Sequence, residues 1–155
     1  AHALAAVLDA CGKSGKGGLG ISLCLRSTAG IEEAWEIARA YRLTVIGGIR
    51  SALRVSDTAP FFETENPGIT GAVADAIAYS RMHTAPVVVM ARSEDAFTVS
   101  ARCPAGIDTD LGSLLHRIAR ECGGEGGGHG ARAGARVPAE QIDRFKNGIL
   151  EALAS

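Results

Sequence analysis

What this 155-residue sequence lacks first is an excess of charge of either sign: 16 Lys and Arg against 17 Asp and Glu leave a formal net charge of −1. A globally basic nucleic-acid binder is excluded, although a local basic patch is not. Aromatic residues make up only 5%, so a platform for stacking successive bases has few rings to draw on. The longest apolar runs, such as 85–91, fall far short of the about 18 residues that span a bilayer. The first residues lack the basic start and apolar stretch of a secretion signal. Cys11, Cys24, Cys103 and Cys122 form no C-x-x-C pair, which argues against a zinc site or a disulfide framework and for reduced, mostly buried thiols in the cytoplasm. The chain opens at Ala1 without a Met, as expected of an excised or processed piece.

What is present is an ordinary globular balance, 46% hydrophobic and 21% charged, which excludes wholesale disorder. Glycine is the exception: 20 residues are about one in eight, against an average near 7%. Periodicity predicts a helix over 3–10, a basic Gly-rich connector over 13–20, and a short apolar run of either type over 21–25. Ile31, Ala34, Trp35, Ala38, Val45, Ile46, Ile49, Ala52 and Leu53 are spaced mostly three and four apart, predicting a long helix over 31–53. A strand is expected over 59–64. Asn66-Pro67 then caps a helix running to Arg81, with Ile69, Val73, Ala76, Ile77 and Ser80 as its buried stripe.

The apolar run 86–90 reads as a central strand, Ser93-Glu94-Asp95 as a turn, and 97–102 as a strand of period two. Asp108-Thr109 is expected to cap a helix over 110–122, which Gly123 ends. A Gly-rich loop, a strand over 131–137 and a helix from Pro138 follow. The expected fold is α/β: a mixed β-sheet with flanking helices in the order β-α-β-β-α-β-α, preceded by an N-terminal helical connector. Residues 1–54 would be the connector and long helix, and 55–155 the α/β domain, with the boundary in 51–58.

Chemistry concentrates in two segments. In Gly123-Gly124-Glu125-Gly126-Gly127-Gly128-His129-Gly130, six of eight residues lack a side chain. As a loop, such a run lets backbone N–H groups converge on an anion, with His129 projecting toward it. In 97–102, alternation puts Thr98, Ser100 and Arg102 on one face, where a hydroxyl and a guanidinium suit a phosphate. Arg132 and Arg136 likewise share a face, and three arginines beside glycines would make a basic patch in a neutral chain. Gly12-Lys13-Ser14 is not a P-loop, because Val7 stands where that pattern needs Gly. Gly126-x-Gly128-x-x-Ala131 leads from helix to strand, the reverse of a dinucleotide fingerprint. Asp108 and Asp110 suit a helix start, His83 and His116 suit surface or packing roles, and no catalytic triad or metal cluster assembles.

Val99-Ser100-Ala101-Arg102, the glycine run ending in His129, and Ala133-Gly134-Ala135 resemble the DHH-associated C-terminal domain of RecJ-like phosphoesterases; Leu8-Asp9-Ala10-Cys11-Gly12 resembles the archaeal-type members. The resemblance implies a domain that closes over a cleft and holds single-stranded DNA or RNA, or a small phosphorylated substrate. Ser100 and Arg102 match substrate-phosphate contacts, Gly126, Gly127 and Gly128 a close-approach backbone, and His129 the motif histidine facing the cleft. Arg132 stands where the family more often has a small residue. Manganese would be bound, and phosphodiesters hydrolysed, by an N-terminal DHH domain. This sequence has no Asp-His-His run, so the chain holds no catalytic residue or metal ligand of its own and is expected to be inactive alone. That domain, replication proteins or a second copy are the implied partners. The alternative is a non-catalytic RNA-binding, tRNA-binding or dimerisation module like the C-terminal domains of alanyl-tRNA synthetases.

Overall fold

Three helices open the chain in the computed structural model, which describes residues 2–55, 60–80 and 83–154: His2–Lys13 (α1), Gly17–Cys24 (α2) and Ile31–Val55 (α3). The chain divides into two compact units between Gly47 and Gly48. In the first, Val7, Ala10, Cys11, Leu23, Ala34 and Ala38 form a core of mostly small side chains. The expected Gly-rich connector is therefore short, and the helix resumes at Gly17. Packing explains this: Gly20 and Leu23 are buried, Leu23 in one core with Val7, Ala10 and Cys11 of α1, so tertiary contact outweighs glycine's poor helix propensity. On α3 the buried positions include Ala34, Ala38 and Ala52, while the bulkier Ile31, Trp35 and Ile46 are exposed.

The second unit is built on a five-stranded sheet. Its strands are Phe61–Glu63 (β1), Val87–Ser93 (β2), Ala96–Arg102 (β3), Glu125–His129 (β4) and Arg132–Pro138 (β5), in the order β1-β2-β3-β5-β4. β1 pairs with β2 in parallel and the other pairs are antiparallel. The mixed sheet with flanking helices is thus as expected, with one strand more. Thr70–Tyr79 (α4) lies between β1 and β2, Leu111–Glu121 (α5) between β3 and β4, and Ile142–Ala154 (α6) after β5. Positions 56–59 and 81–82, which include Ala59 of the expected first strand, part of the expected boundary, and Arg81, lie outside the described residues.

Local signals set most boundaries. The Asn66 side chain accepts a bond from the Gly68 N–H at 2.8 Å, and a single 3-10 turn over Pro67–Ile69 leads into α4. The buried positions of α4 are Thr70, Val73, Ala74, Ile77 and Ala78; the expected Ala76 and Ser80 are exposed. Asp110, and not Asp108 or Thr109, caps α5, accepting from the Ser113 N–H at 3.1 Å. Gly123 then takes a φ of +73° to end that helix.

The principal correction concerns the glycine run, which is strand β4 and not a loop. On a strand, successive N–H groups point in opposite directions, so they do not converge on one anion. Close approach to α5 explains the glycines. A Cβ at Gly126 would lie 2.6 Å from the Leu115 carbonyl oxygen, and one on Gly112 of α5 would lie 2.6 Å from the Gly128 carbonyl oxygen. β4 forms the sheet edge, where His116 of α5 meets the Gly126 carbonyl oxygen through Nδ1 at 2.9 Å. A carbonyl only accepts, so this nitrogen carries the proton.

Candidate functional site

Sheet register decides which candidate residues meet. Arg102 is the cross-strand partner of Arg132, which is in turn the partner of His129, so the three form one row across β3, β5 and β4. Ser100, Gly134 and Gly127 form the next row, and Thr98, Arg136 and Glu125 the one beyond. Directly paired residues project to one face, so Ser100, Arg102, Gly127, His129, Arg132 and Arg136 share a face. Gly126 and Gly128 project to the other, against α5 and β5.

Helix α4 packs over β2 and β3 on the shared face. Its Gly71 makes room for Arg102: a Cβ there would come within 3.3 Å of the Arg102 Nη2. Farther along, the face opens. A Cβ at Gly127 would meet nothing within 4 Å, and His129, Arg132, Arg136 and Glu125 are exposed. The outcome is a shelf with a bare backbone floor at Gly127 and Gly134, walled on one side by α4.

Asp75 of α4 organises the arginines. Arg102 donates through Nε to Asp75 Oδ1 at 2.7 Å, and Arg132 Nη2 lies 3.1 Å from the same oxygen. Arg102, with 13% of its side chain exposed, also donates through Nη1 to the Ala101 and Ala133 carbonyls at 2.9 and 3.4 Å. Arg132 Nη2 donates to the Tyr79 hydroxyl at 3.3 Å, and its guanidinium carbon lies 5.8 Å from that ring's centroid. The Tyr79 hydrogen bond first, and then the Asp75 carboxylate, hold the Arg132 guanidinium above its ordinary pKa. Two guanidiniums on one carboxylate leave a net positive charge here. At the far row Arg136 meets Asp95 at 3.4 Å and lies across from Glu125, so the positive potential is confined to the Arg102–Arg132–His129 end.

Ser100 Oγ lies 3.0 Å from Thr70 Oγ1, which itself donates to the Pro67 carbonyl at 3.3 Å. Thr70 has one proton, so Ser100 is the donor of the pair and would have to turn from Thr70 to donate to an anion. The His129 side chain, on a strand residue paired with Arg132, makes no hydrogen bond among the described residues. Sequence reading missed Asp75 and Tyr79, although Gly71, Asp75 and Tyr79 stand four apart on one helical stripe. Among the described residues no group of three His, Cys, Asp or Glu is placed to hold a metal ion. No described helix is long and apolar enough to cross a membrane.

A mixed sheet with a glycine edge strand, and a serine–arginine strand separated from it by one strand, defines a DHH-associated domain. Residues 56–155 match the model of the DHHA1 domain, and the chain belongs to that family. RecJ from Thermus thermophilus, in complex with manganese, superposes with a TM-score of 0.76 at 21% identity, over 96% of this chain and 23% of that one. The C-Ala domain of Aquifex aeolicus alanyl-tRNA synthetase gives 0.54 at 17%, over 61% of this chain and 87% of that one. A pGpG-specific phosphodiesterase from Vibrio cholerae, PggH, gives 0.53 at 12%, over 78% and 42%. These likenesses are of fold, and this chain spans less than half the length of the RecJ and phosphodiesterase chains. The curated proteins give no match.

Proposed function

We propose that the shelf over Gly127 and Gly134 holds a phosphate of single-stranded DNA or RNA, or of a short nucleotide. The chain would thereby act as the substrate-binding domain of a phosphodiester hydrolase. The observation that supports this best is the single row of Arg102, Arg132 and His129 at the end of a side-chain-free floor. Asp75 keeps the two guanidiniums oriented before any anion arrives, so little side-chain entropy is lost on binding. Arg102 and Arg132 offset phosphate charge, and the bare strand lets the phosphate approach the backbone closely. His129 stands at the sheet edge with its ring free to donate a further bond. Divalent metal and the hydrolytic step would belong to a separate catalytic domain, since no described cluster here fits a metal.

The test is fluorescence anisotropy of the whole chain with 5′-phosphorylated oligo-dT, oligo-rU and tRNA across a salt series. Weak binding that falls with salt, with a logarithmic slope of about −0.7 per neutralised phosphate, is expected. Arg102→Ala and Arg132→Ala should each weaken it at least about fivefold, as for the loss of a charge-assisted bond. Binding unchanged by either substitution overturns the reading. A marked preference for tRNA over both oligonucleotides would replace it with a tRNA-binding module of the kind that the C-Ala likeness suggests.

A further inference from the structure

Asp75 does more to the shelf than orient its arginines. Its Oδ1 lies 2.7 Å from Arg102 Nε and 3.1 Å from Arg132 Nη2, so the two guanidiniums keep one uncompensated charge between them. Arg102 uses Nε on Asp75 and Nη1 on the Ala101 and Ala133 carbonyls, leaving only Nη2 without a hydrogen bond among the described residues. Arg132 gives Nη2 to Asp75 and the Tyr79 hydroxyl, which leaves Nε and Nη1. The far row adds no surplus, because Arg136 meets Asp95 at 3.4 Å and pairs across the strands with Glu125. Arg102, Arg132 and Arg136 are thus matched in number by Asp75, Asp95 and Glu125. This count separates two kinds of phosphate. A phosphodiester carries one negative charge, whereas a terminal phosphate, with a second pKa of about 6, is a dianion at pH 8.

We propose that Asp75 is a specificity-determining residue, which sets the shelf to accept the monoanion of an internal phosphodiester and to penalise the dianion of a terminal phosphate. The surplus unit of charge beside Asp75 is met by the diester. The second charge of a monoester finds no further cation and feels the carboxylate again. Asp75 is 34% exposed and therefore partly screened, so the penalty is several-fold in affinity and not larger. The proposal rests on the phosphate reading above and adds the charge state that the site selects. It also gives the reaction a direction. Hydrolysis adds water across one P–O bond, releasing an alcohol and a monoester that sheds its second proton near neutrality. The carboxylate that tolerates the substrate would then hasten departure of the phosphorylated product.

NMR titration of the whole chain at pH 8 compares methyl phosphate, a dianion, with dimethyl phosphate, a monoanion of nearly the same size, read at the Gly127 and Gly134 amides. Native protein should bind the two within about threefold of each other. Asp75→Asn should raise the affinity ratio of methyl to dimethyl phosphate at least about fivefold. A looser hold on the arginines would lower both affinities together, so a merely structural role leaves that ratio unmoved. Asp75→Glu, which keeps the charge, and Asp95→Asn, which removes one at the far row, should both retain the native ratio. A native preference for methyl phosphate beyond threefold, or an unchanged ratio in folded Asp75→Asn protein, would overturn the selection and leave the phosphate reading standing. The native comparison needs no variant and decides the matter even where Asp75→Asn does not fold. Failure of both ligands to move the two amides of native protein overturns the phosphate reading and the selection with it.

Discussion

Two adjacent glycines of β4 should respond in opposite ways to the same added methyl group. At Gly126 the new Cβ would lie 2.6 Å from the Leu115 carbonyl oxygen and 3.1 Å from Ala119 Cβ. Ordinary contact begins at 3.4 Å, so α5 would have to retreat by about 0.8 Å from the strand it covers. Overpacking of this kind costs about 1–3 kcal/mol. The stiffer unfolded chain returns roughly 0.5–1 kcal/mol. The difference centres on about 1–1.5 kcal/mol, so Gly126→Ala should lower Tm by roughly 2–6 °C for a chain of this length. At Gly127 the methyl meets nothing within 4 Å, and Gly127→Ala should be neutral or slightly stabilising. Thermal unfolding followed by circular dichroism reads both. A bulky Gly127→Leu should still fold while losing oligonucleotide binding, because it fills the shelf. If Gly126→Ala melts with the wild type, or Gly127→Ala falls as far as Gly126→Ala, the division of labour between the two sheet faces is wrong.

Other expectations follow from single contacts. Asp75→Asn should lower stability by roughly 1–2 kcal/mol in urea unfolding: it weakens a charge-assisted bond to the largely buried Arg102, but Asp75 is itself 34% exposed and partly screened. Asp110 accepts from the Ser113 hydroxyl at 2.6 Å and from its N–H at 3.1 Å, which hold its carboxyl below the ordinary aspartate value in the folded state. Its stabilising effect is complete above the unfolded-state value and disappears as pH falls through the lower folded one. The stability gap between wild type and Asp110→Ala should accordingly shrink on acidification through that range, and a gap independent of pH would contradict the cap. Burial pushes the Cys103 and Cys122 thiols up, Cys11 is also buried, and Cys24 is exposed. Native protein at neutral pH should label rapidly with iodoacetamide at Cys24 alone, and all four cysteines should label in denaturant.

Legibility in the sequence followed the side chains. The β2 and β3 strands could be read because Val87, Val88 and Val89 are β-branched and 97–102 alternates cleanly; the same alternation put Ser100 and Arg102 on one face, as observed. β4 could not be read, because Gly126, Gly127 and Gly128 carry neither strand propensity nor pattern. Their strand exists through pairing with β5 and the close seat of α5, both tertiary effects. The helical α2 escaped for a similar reason, since its glycines carry little helix propensity and its place is set by packing of Gly20 and Leu23. Asp75 escaped differently. Its stripe with Gly71 and Tyr79 is visible in the sequence, but only the folded sheet shows that it falls over two arginines, the nearer of them 27 positions along the chain.

A strand of glycines on the rim of a sheet is an invitation to a stranger's backbone, since no side chain stands in the way of further pairing. Here the Gly126 carbonyl that such a newcomer would seek is already occupied by the His116 imidazole. One ring from the neighbouring helix thus seals a border that bulky or charged strand residues guard elsewhere, and it leaves the shelf beside it uncluttered. Removing that ring, as in His116→Ala, would reopen the rim and turn the fold toward self-association.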